Sequence, residues 1–252
     1  MLRRISDIKG YTIGATDGPI GAVTDFLFDD ATWRVRWLVV DTGHIIPGQK
    51  VLLPPSVLGH VNHIDRQFSV RLTQAEVKAS PGIDTDAPVS RRMEAHIYDY
   101  YGWSPYWATG FYMGGFGYAG GLTPAPMIMD SPRETGADKG DPHLRSIDEV
   151  RGYHLHATDG EIGHLADCLV EDMDWTLRYL IADTQNWWPG QKVLIAPRQI
   201  KSIEWSERLV NLDMSRNGVK GSPPYDETKV VDRPYEAELR GYYDKPRLAE
   251  VV

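Results

Sequence analysis

The chain is poor in the features that most directly mark an enzyme or a membrane protein. One cysteine, Cys168, occurs in 252 residues, so no disulfide can close within the chain, and a reducing compartment suits it. Cys168 stands in an apolar stretch, where a thiol is inert packing rather than a nucleophile. Positive charge is in deficit: the net charge is −8 and the pI about 5.5, which disfavours sequence-independent binding to nucleic acid. The opening residues, Met1-Leu-Arg-Arg-Ile-Ser-Asp, hold no apolar run and do not read as a signal peptide. No G-x-S-x-G, P-loop, H-E-x-x-H or C-x-x-C pattern is present, so the familiar motif-borne chemistries have no footing. Long aliphatic runs are missing too. The uncharged stretch from Tyr100 to Met129 is long enough to span a bilayer, but it is glycine-rich and broken by Pro105, Pro124 and Pro126; it reads as an aromatic linker, not a transmembrane helix. Its Gly115-x-Gly117-x-x-Gly120 matches the dinucleotide fingerprint by letter only, since no strand precedes it.

What the chain does have is a repetition at a constant offset of 142 residues. Leu2-Arg3 returns as Leu144-Arg145, Ala15-Thr16-Asp17-Gly18 as Ala157-Thr158-Asp159-Gly160, and Ile20-Gly21 as Ile162-Gly163. Asp25, Trp33, Arg36 and Asp41 return as Asp167, Trp175, Arg178 and Asp183, and Pro47-Gly48-Gln49-Lys50-Val51-Leu52 as Pro189 to Leu194. No gap is needed, so two duplicated domains are expected. Residues 1–90 carry 9 basic and 10 acidic residues, whereas residues 144–232 carry 10 and 15; the second copy has drifted acidic, read as a solvated surface.

Within a copy, short apolar runs alternate with turn signals. Tyr11 to Ala15, Ile20 to Phe28, Arg34 to Val40, Lys50 to Leu53, Leu58 to Ile64 and Phe68 to Leu72 read as about six strands, with Asp17-Gly18 and Pro47-Gly48 as turns. Arg34 to Val40 is apolar on both faces and reads as central. Thr73-x-x-Glu76 reads as a capping box opening a short helix. This pattern predicts a mainly β protein: two small antiparallel β-barrels in tandem, each followed by a short helical arm. The expected divisions are 1–85 for the first barrel, 86–143 for its arm and the linker, 144–227 for the second barrel and 228–252 for the C-terminal arm.

The runs Asp17-Gly-Pro-Ile-Gly-Ala-Val-Thr-Asp-Phe-Leu-Phe-Asp, Trp33-Arg-Val-Arg-Trp-Leu-Val-Val-Asp and Val51-Leu-Leu-Pro, with their counterparts from Asp159, Arg178 and Val193, resemble the PRC-barrel domain. The resemblance covers residues 2 to about 85 and 144 to about 227. It implies a protein-binding module with no family-wide catalytic residues. The same family includes the soluble domain of the photosynthetic reaction-centre H subunit and the C-terminal domain of a ribosome-maturation factor. This chain lacks the membrane helix of the first and the N-terminal domain of the second.

Candidate sites follow from what the repeat keeps and adds. Tyr100-Tyr101 and Tyr242-Tyr243 recur beyond the barrels, each with an aliphatic residue one turn earlier (Ile97, Leu239); this predicts docked helical arms and makes the tyrosines partner-binding candidates. Ile45-Ile46 and Trp187-Trp188, before the Pro-Gly turns, are candidate anchors at a hairpin tip. His154, His156 and His164 gather at one hairpin of the second copy and are the only candidates for a metal; solvated histidines are the default, and no metal or cofactor is expected. Asp25/Asp167 and Asp41/Asp183 are read as bonding backbone groups and fixing each barrel, not as catalytic carboxylates. An isologous, two-fold related pair of barrels is expected, with residues near Trp33 and Trp175 facing each other.

The resulting reading is a non-enzymatic, cytoplasmic adaptor or assembly module with a protein partner, without direct nucleic-acid contact or a transmembrane segment, and open to homo-oligomerisation. One alternative is a peripheral soluble component of a membrane electron-transfer or photosynthetic complex. Another is a ribosome-assembly factor that binds a ribosomal protein.

Overall fold

A computed structural model describes residues 1–43, 49–83, 89, 91–103, 105, 143–184 and 191–244. The first copy runs β1 (Leu2–Arg4), α1 (Ile5–Ile8), β2 (Thr12–Ala15), β3 (Gly18–Asp29), β4 (Arg34–Asp41), β5 (Lys50–Leu53), β6 (Leu58–Asn62), β7 (Gln67–Val70), α2 (Gln74–Lys78) and α3 (Arg91–Tyr101). The second runs β8 (Leu144–Ser146), α4 (Ile147–Val150), β9 (His154–Ala157), β10 (Gly160–Glu171), β11 (Leu177–Asp183), β12 (Lys192–Ile195), β13 (Ile200–Glu204), β14 (Leu209–Leu212), α5 (Arg216–Lys220) and α6 (Arg233–Tyr243). The fold is mainly β, as the turn-and-strand pattern predicts.

Each copy forms a seven-stranded sheet of the same topology. The first has the order β5-β4-β3-β2-β7-β6 and the second β12-β11-β10-β9-β14-β13. The expectation of purely antiparallel pairing needs one correction: β2 pairs β7 in parallel, and β9 pairs β14 in parallel. The last strand of each copy returns beside its first hairpin, which the hydrophobic pattern of single strands does not encode. The conserved Gly21 and Gly163 mark a close crossing. A Cβ there would lie 1.9 Å from the Asp41 carbonyl oxygen and 2.0 Å from that of Asp183, distances no side chain tolerates.

The seventh strand of each sheet comes from the other copy. β1 pairs antiparallel with β10, Leu2 opposite Glu171 and Arg4 opposite Leu169. β8 pairs antiparallel with β3, Leu144 opposite Asp29 and Ser146 opposite Leu27. These are the same register at the repeat offset, so the two copies exchange their first strands about a pseudo-two-fold axis. The buried interiors of both copies form one continuous core, from Ile5 and Ile13 through Leu180 to Val219.

Strand β4 is apolar on both faces because it serves two layers. Val35, Leu38 and Val40 face the shared core. Trp37 and Val39 face outward, where Leu27, Leu52 and the arm helix α3 cover them, with Ile97 and Tyr98 buried. The second arm repeats this: α6 lays Leu239 over Leu169, Tyr179, Ile181 and Leu194, with Leu2 of the exchanged strand beside it. Both arms therefore dock on their own copy, and both Ile97 and Leu239 are fully buried. The α2 capping box forms as read: Thr73 accepts from the Glu76 N–H at 3.2 Å, and the Thr73 N–H donates to the Glu76 carboxylate at 2.7 Å.

Two outcomes follow. Leu239→Ala and Ile97→Ala should each lower the urea unfolding free energy by about 2–5 kcal/mol, the usual cost of truncating a buried aliphatic side chain. A chain carrying a protease site between residues 104 and 142 should, once cut, elute from size exclusion as one complex of unchanged size, because each half completes the other's sheet.

Candidate functional site

The seam between the copies gathers several of the residues that the repeat preserves, among them Asp25 and Asp167, Trp33 and Trp175. The two turns that meet there share a backbone closure, the Trp33 N–H donating to the Asp29 carbonyl at 2.7 Å and the Trp175 N–H to the Glu171 carbonyl at 2.8 Å, but differ in their side-chain bonds. In the β3–β4 turn, the Asp29 carboxylate accepts from the Ala31 N–H at 3.1 Å, the Thr32 N–H at 2.7 Å and the Thr32 hydroxyl at 2.8 Å, and from Arg36 at 3.0 Å. Burial opposes ionisation of Asp29, but the Thr32 donors and the Arg36 guanidinium outweigh it and hold its carboxyl below the usual range. Each turn closes on a tryptophan in the left-handed region, Trp33 and Trp175, both at φ +57°. For a bulky residue this conformation costs about 1–2 kcal/mol. Packing across the seam offsets the cost. The Trp175 ring stacks on Phe26 at 6.1 Å and tilts against Phe68 at 5.9 Å, both in the first copy. Trp33 and Phe28 line a small space inside the second copy with Leu165, Cys168, Leu180 and Val210.

The backbone crosses at the same place. The Val35 N–H donates to the Trp175 carbonyl at 2.8 Å, and the Leu177 N–H to the Trp33 carbonyl at 2.7 Å. Arg34 and Thr176, one repeat offset apart, pair directly across the axis. Residues near Trp33 and Trp175 thus face each other, as an isologous interface requires, while the indole rings themselves cross into the opposite copy.

Asp25 and Asp167 do bond backbone groups, but the groups are those of the other copy. Asp25 accepts from the Ser146 hydroxyl at 2.6 Å and from the Asp148 N–H at 3.2 Å, in the first turn of α4. Asp167 accepts from the Ser6 N–H at 3.3 Å, in the first turn of α1. Each also accepts from the next residue on its own strand, Phe26 or Cys168, at 2.8 Å. A β-bulge just before each aspartate aims it outward. The reading that these residues fix their own barrels is therefore corrected: they cap the opposite copy's exchanged helix and latch the seam. Burial pushes both carboxyls above the ordinary value; the Ser146 bond opposes this at Asp25 and the Ser6 bonds at Asp167. By contrast, Asp41 serves its own turn, accepting from the Gly43 N–H at 2.8 Å.

The other candidate residues fall as follows. His154 and His164 are direct cross-strand partners, and His156 lies opposite Glu161. The His154 Nδ1 lies 3.0 Å from a Glu161 carboxylate oxygen. Among the described residues no group of three or more His, Cys, Asp or Glu side chains is placed to hold a metal ion. The tyrosine pairs fasten the arms: Tyr100 donates to the Glu76 carbonyl at 2.8 Å, Tyr242 to the Gly218 carbonyl and Tyr243 to the Leu194 carbonyl. Burial pushes the Tyr101 and Tyr243 phenols up to about 12. Cys168 is buried, and burial first, then the neighbouring Asp167 charge, pushes its thiol up. Ile45-Ile46 and Trp187-Trp188 lie outside the described residues, as does most of the aromatic linker.

Two equivalent grooves flank the seam. One is lined by Arg34, Arg36, Pro54, Leu58, Tyr98 and Met173, with Trp175 at its base. The other is lined by Trp33, Arg178, Tyr179, Pro197, Arg198 and Arg240, and continues along the edge strand past Ile200, Lys201 and Trp205. They differ in chemistry. Met173, at the first groove, is 88 % exposed; the repeat places Ala31 at the matching position.

The architecture defines a class: a duplicated small β-domain whose copies complete one another, with the preserved Asp25 and Asp167 spent on that joint. Residues 2–76 match the model of the PRC-barrel domain family. No curated protein matches the chain. No helix among the described residues is long and apolar enough to cross a membrane.

The two latch aspartates give a pH test. Because their folded pKa values are raised, their contribution to stability is fully present below the unfolded value, near pH 3.9, and is lost as pH rises through the folded one. The stability gap between the natural chain and Asp25→Asn/Asp167→Asn should therefore be widest near pH 4 and narrow toward pH 7.5, read by urea unfolding at both ends.

Proposed function

We propose that the chain is a tandem PRC-barrel adaptor that works by binding a protein partner rather than by catalysis, in the cytoplasm. The observation that carries this reading is the PRC-barrel match of residues 2–76, a family associated with protein binding. The second copy shares the repeat and the sheet topology, and we take it as a second PRC-barrel. Two features of the seam support binding over chemistry. The recurrent carboxylates Asp25 and Asp167 are committed to helix caps, and the grooves at the seam combine apolar walls with arginines and acidic residues, arginine being a frequent interface hot spot.

The first groove is the stronger candidate docking face. Exposed methionine suits adaptable protein contacts, and Met173 stands at this groove's edge. Affinity capture with the tagged full chain, read by quantitative mass spectrometry, should recover a partner whose yield falls at least tenfold with Met173→Glu, while the melting temperature stays within a few degrees because the side chain is exposed. Equal recovery by the natural chain and the variant would move the docking face elsewhere. Recovery of no partner at all would count against the adaptor reading.

A further inference from the structure

We infer that the seam is also a self-recognition surface, and that the partner it fits outside the chain is a second copy of the same chain exchanging a whole domain. This stands apart from the adaptor reading, which survives intact if the chain only closes on itself.

Three observations carry it. First, neither sheet is complete alone: β1 belongs to the second copy's sheet and β8 to the first's. A copy separated from its mate exposes an unpaired strand edge, an Asp25 or Asp167 without the helix it caps and the pocket for a tryptophan. Such a surface is satisfied only by another domain of the same kind. Second, the joint is tied to chain continuity only through residues 104–142, a connection of 39 residues. Extended, such a segment reaches about 130 Å, so the first copy of one chain can meet the second copy of another without altering any contact in the seam. Domain exchange costs little when the contacts are unchanged. Third, the packing says which copies meet. Phe28 and Trp33 of the first copy occupy the space beside Cys168 in the second, and the first copy carries Phe26 where the second has Cys168. Two first copies would bring two Phe26 side chains to the places that one phenylalanine and one cysteine now share, overfilling the seam. First-to-second pairing keeps the fit, so the product is a closed, reciprocal dimer.

The balance with the closed monomer is set by the connection. A connection of this length gives an effective concentration on the order of 1 mM. Refolded chains should then be exchanged to about one in a hundred at 10 µM and about half at millimolar concentration. Crowded synthesis or a partner that gathers several copies would shift the balance toward dimer by mass action.

The test uses the full chain with Arg34→Cys/Thr176→Cys. These positions are a directly opposed antiparallel pair flanked, not bridged, by the Val35–Trp175 and Leu177–Trp33 bonds, the closer kind of cross-strand pair, within disulfide reach. The chain is unfolded in urea, refolded at concentrations from 10 µM to 1 mM, oxidised, and run without reductant. The inference expects a disulfide-linked dimer whose share rises about tenfold with the first tenfold rise in concentration. A parallel refolding of two differently tagged natural chains guards against a variant that folds poorly, and should give co-purifying mixed dimers with the same concentration dependence. Disulfides confined within single chains, with no mixed dimer at 1 mM, would overturn the inference. So would mixed dimers of the natural chains without any interchain disulfide in the variant, since the copies would then meet through another surface.

Discussion

The exchange of the first strand and helix between the two copies is the constraint on which the rest of the structure depends. β1 and β8 each finish a sheet begun elsewhere in the chain, and α1 and α4 each receive a cap from the opposite copy's aspartate. A helix of one turn cannot hold itself together in water. Here its first N–H groups meet a buried carboxylate, and its apolar side chains, Ile5 and Ile8 or Ile147 and Val150, enter the shared core. The seam is therefore part of the core rather than a contact between finished domains. This explains why the strained tryptophan turns survive in both copies: their half-buried rings pack against the core of the partner copy.

Duplication has allowed the two halves of this joint to diverge in step. The second copy carries Cys168 and Val170 where the first has Phe26 and Phe28, and Phe28 and Trp33 supply bulk to the second copy's interior across the seam. A homodimer must place identical side chains at both sites, whereas a covalent pair can divide the volume unequally. The same freedom has made the grooves different, one bordered by Met173 and the other rich in arginine. The arms remain alike because each covers the outer face of a central strand, where Trp37 or Tyr179 would otherwise face water.

Much of this was legible in the chain. The repeat at offset 142, the Asp-Gly turns, the two-faced strand at Arg34 to Val40, the Thr73–Glu76 capping box and the apolar pair in each arm all rest on local chemistry, and local chemistry writes directly into sequence. The candidate site was less legible. Asp25 and Asp167 announced themselves as preserved polar residues at strand positions, but nothing local tells a carboxylate whether it caps its own copy's backbone or its mate's. The brevity of Leu2–Arg4, three residues ahead of the first hairpin, hid a strand that has no partner within its own copy. Its return as Leu144-Arg145 was the one available signal.

The sequence by itself determined the duplicated mainly β plan, the positions of the turns and the faces that had to be buried, because periodicity, turn chemistry and capping act over a few residues. Only the tertiary structure decided the parallel pairing of β2 with β7, the exchange of β1 and β8, and the crossing of Trp33 and Trp175. These depend on which of two nearly identical edges a strand selects. A repeat offers both edges in almost the same words, and the choice is made by long-range packing that no local pattern records.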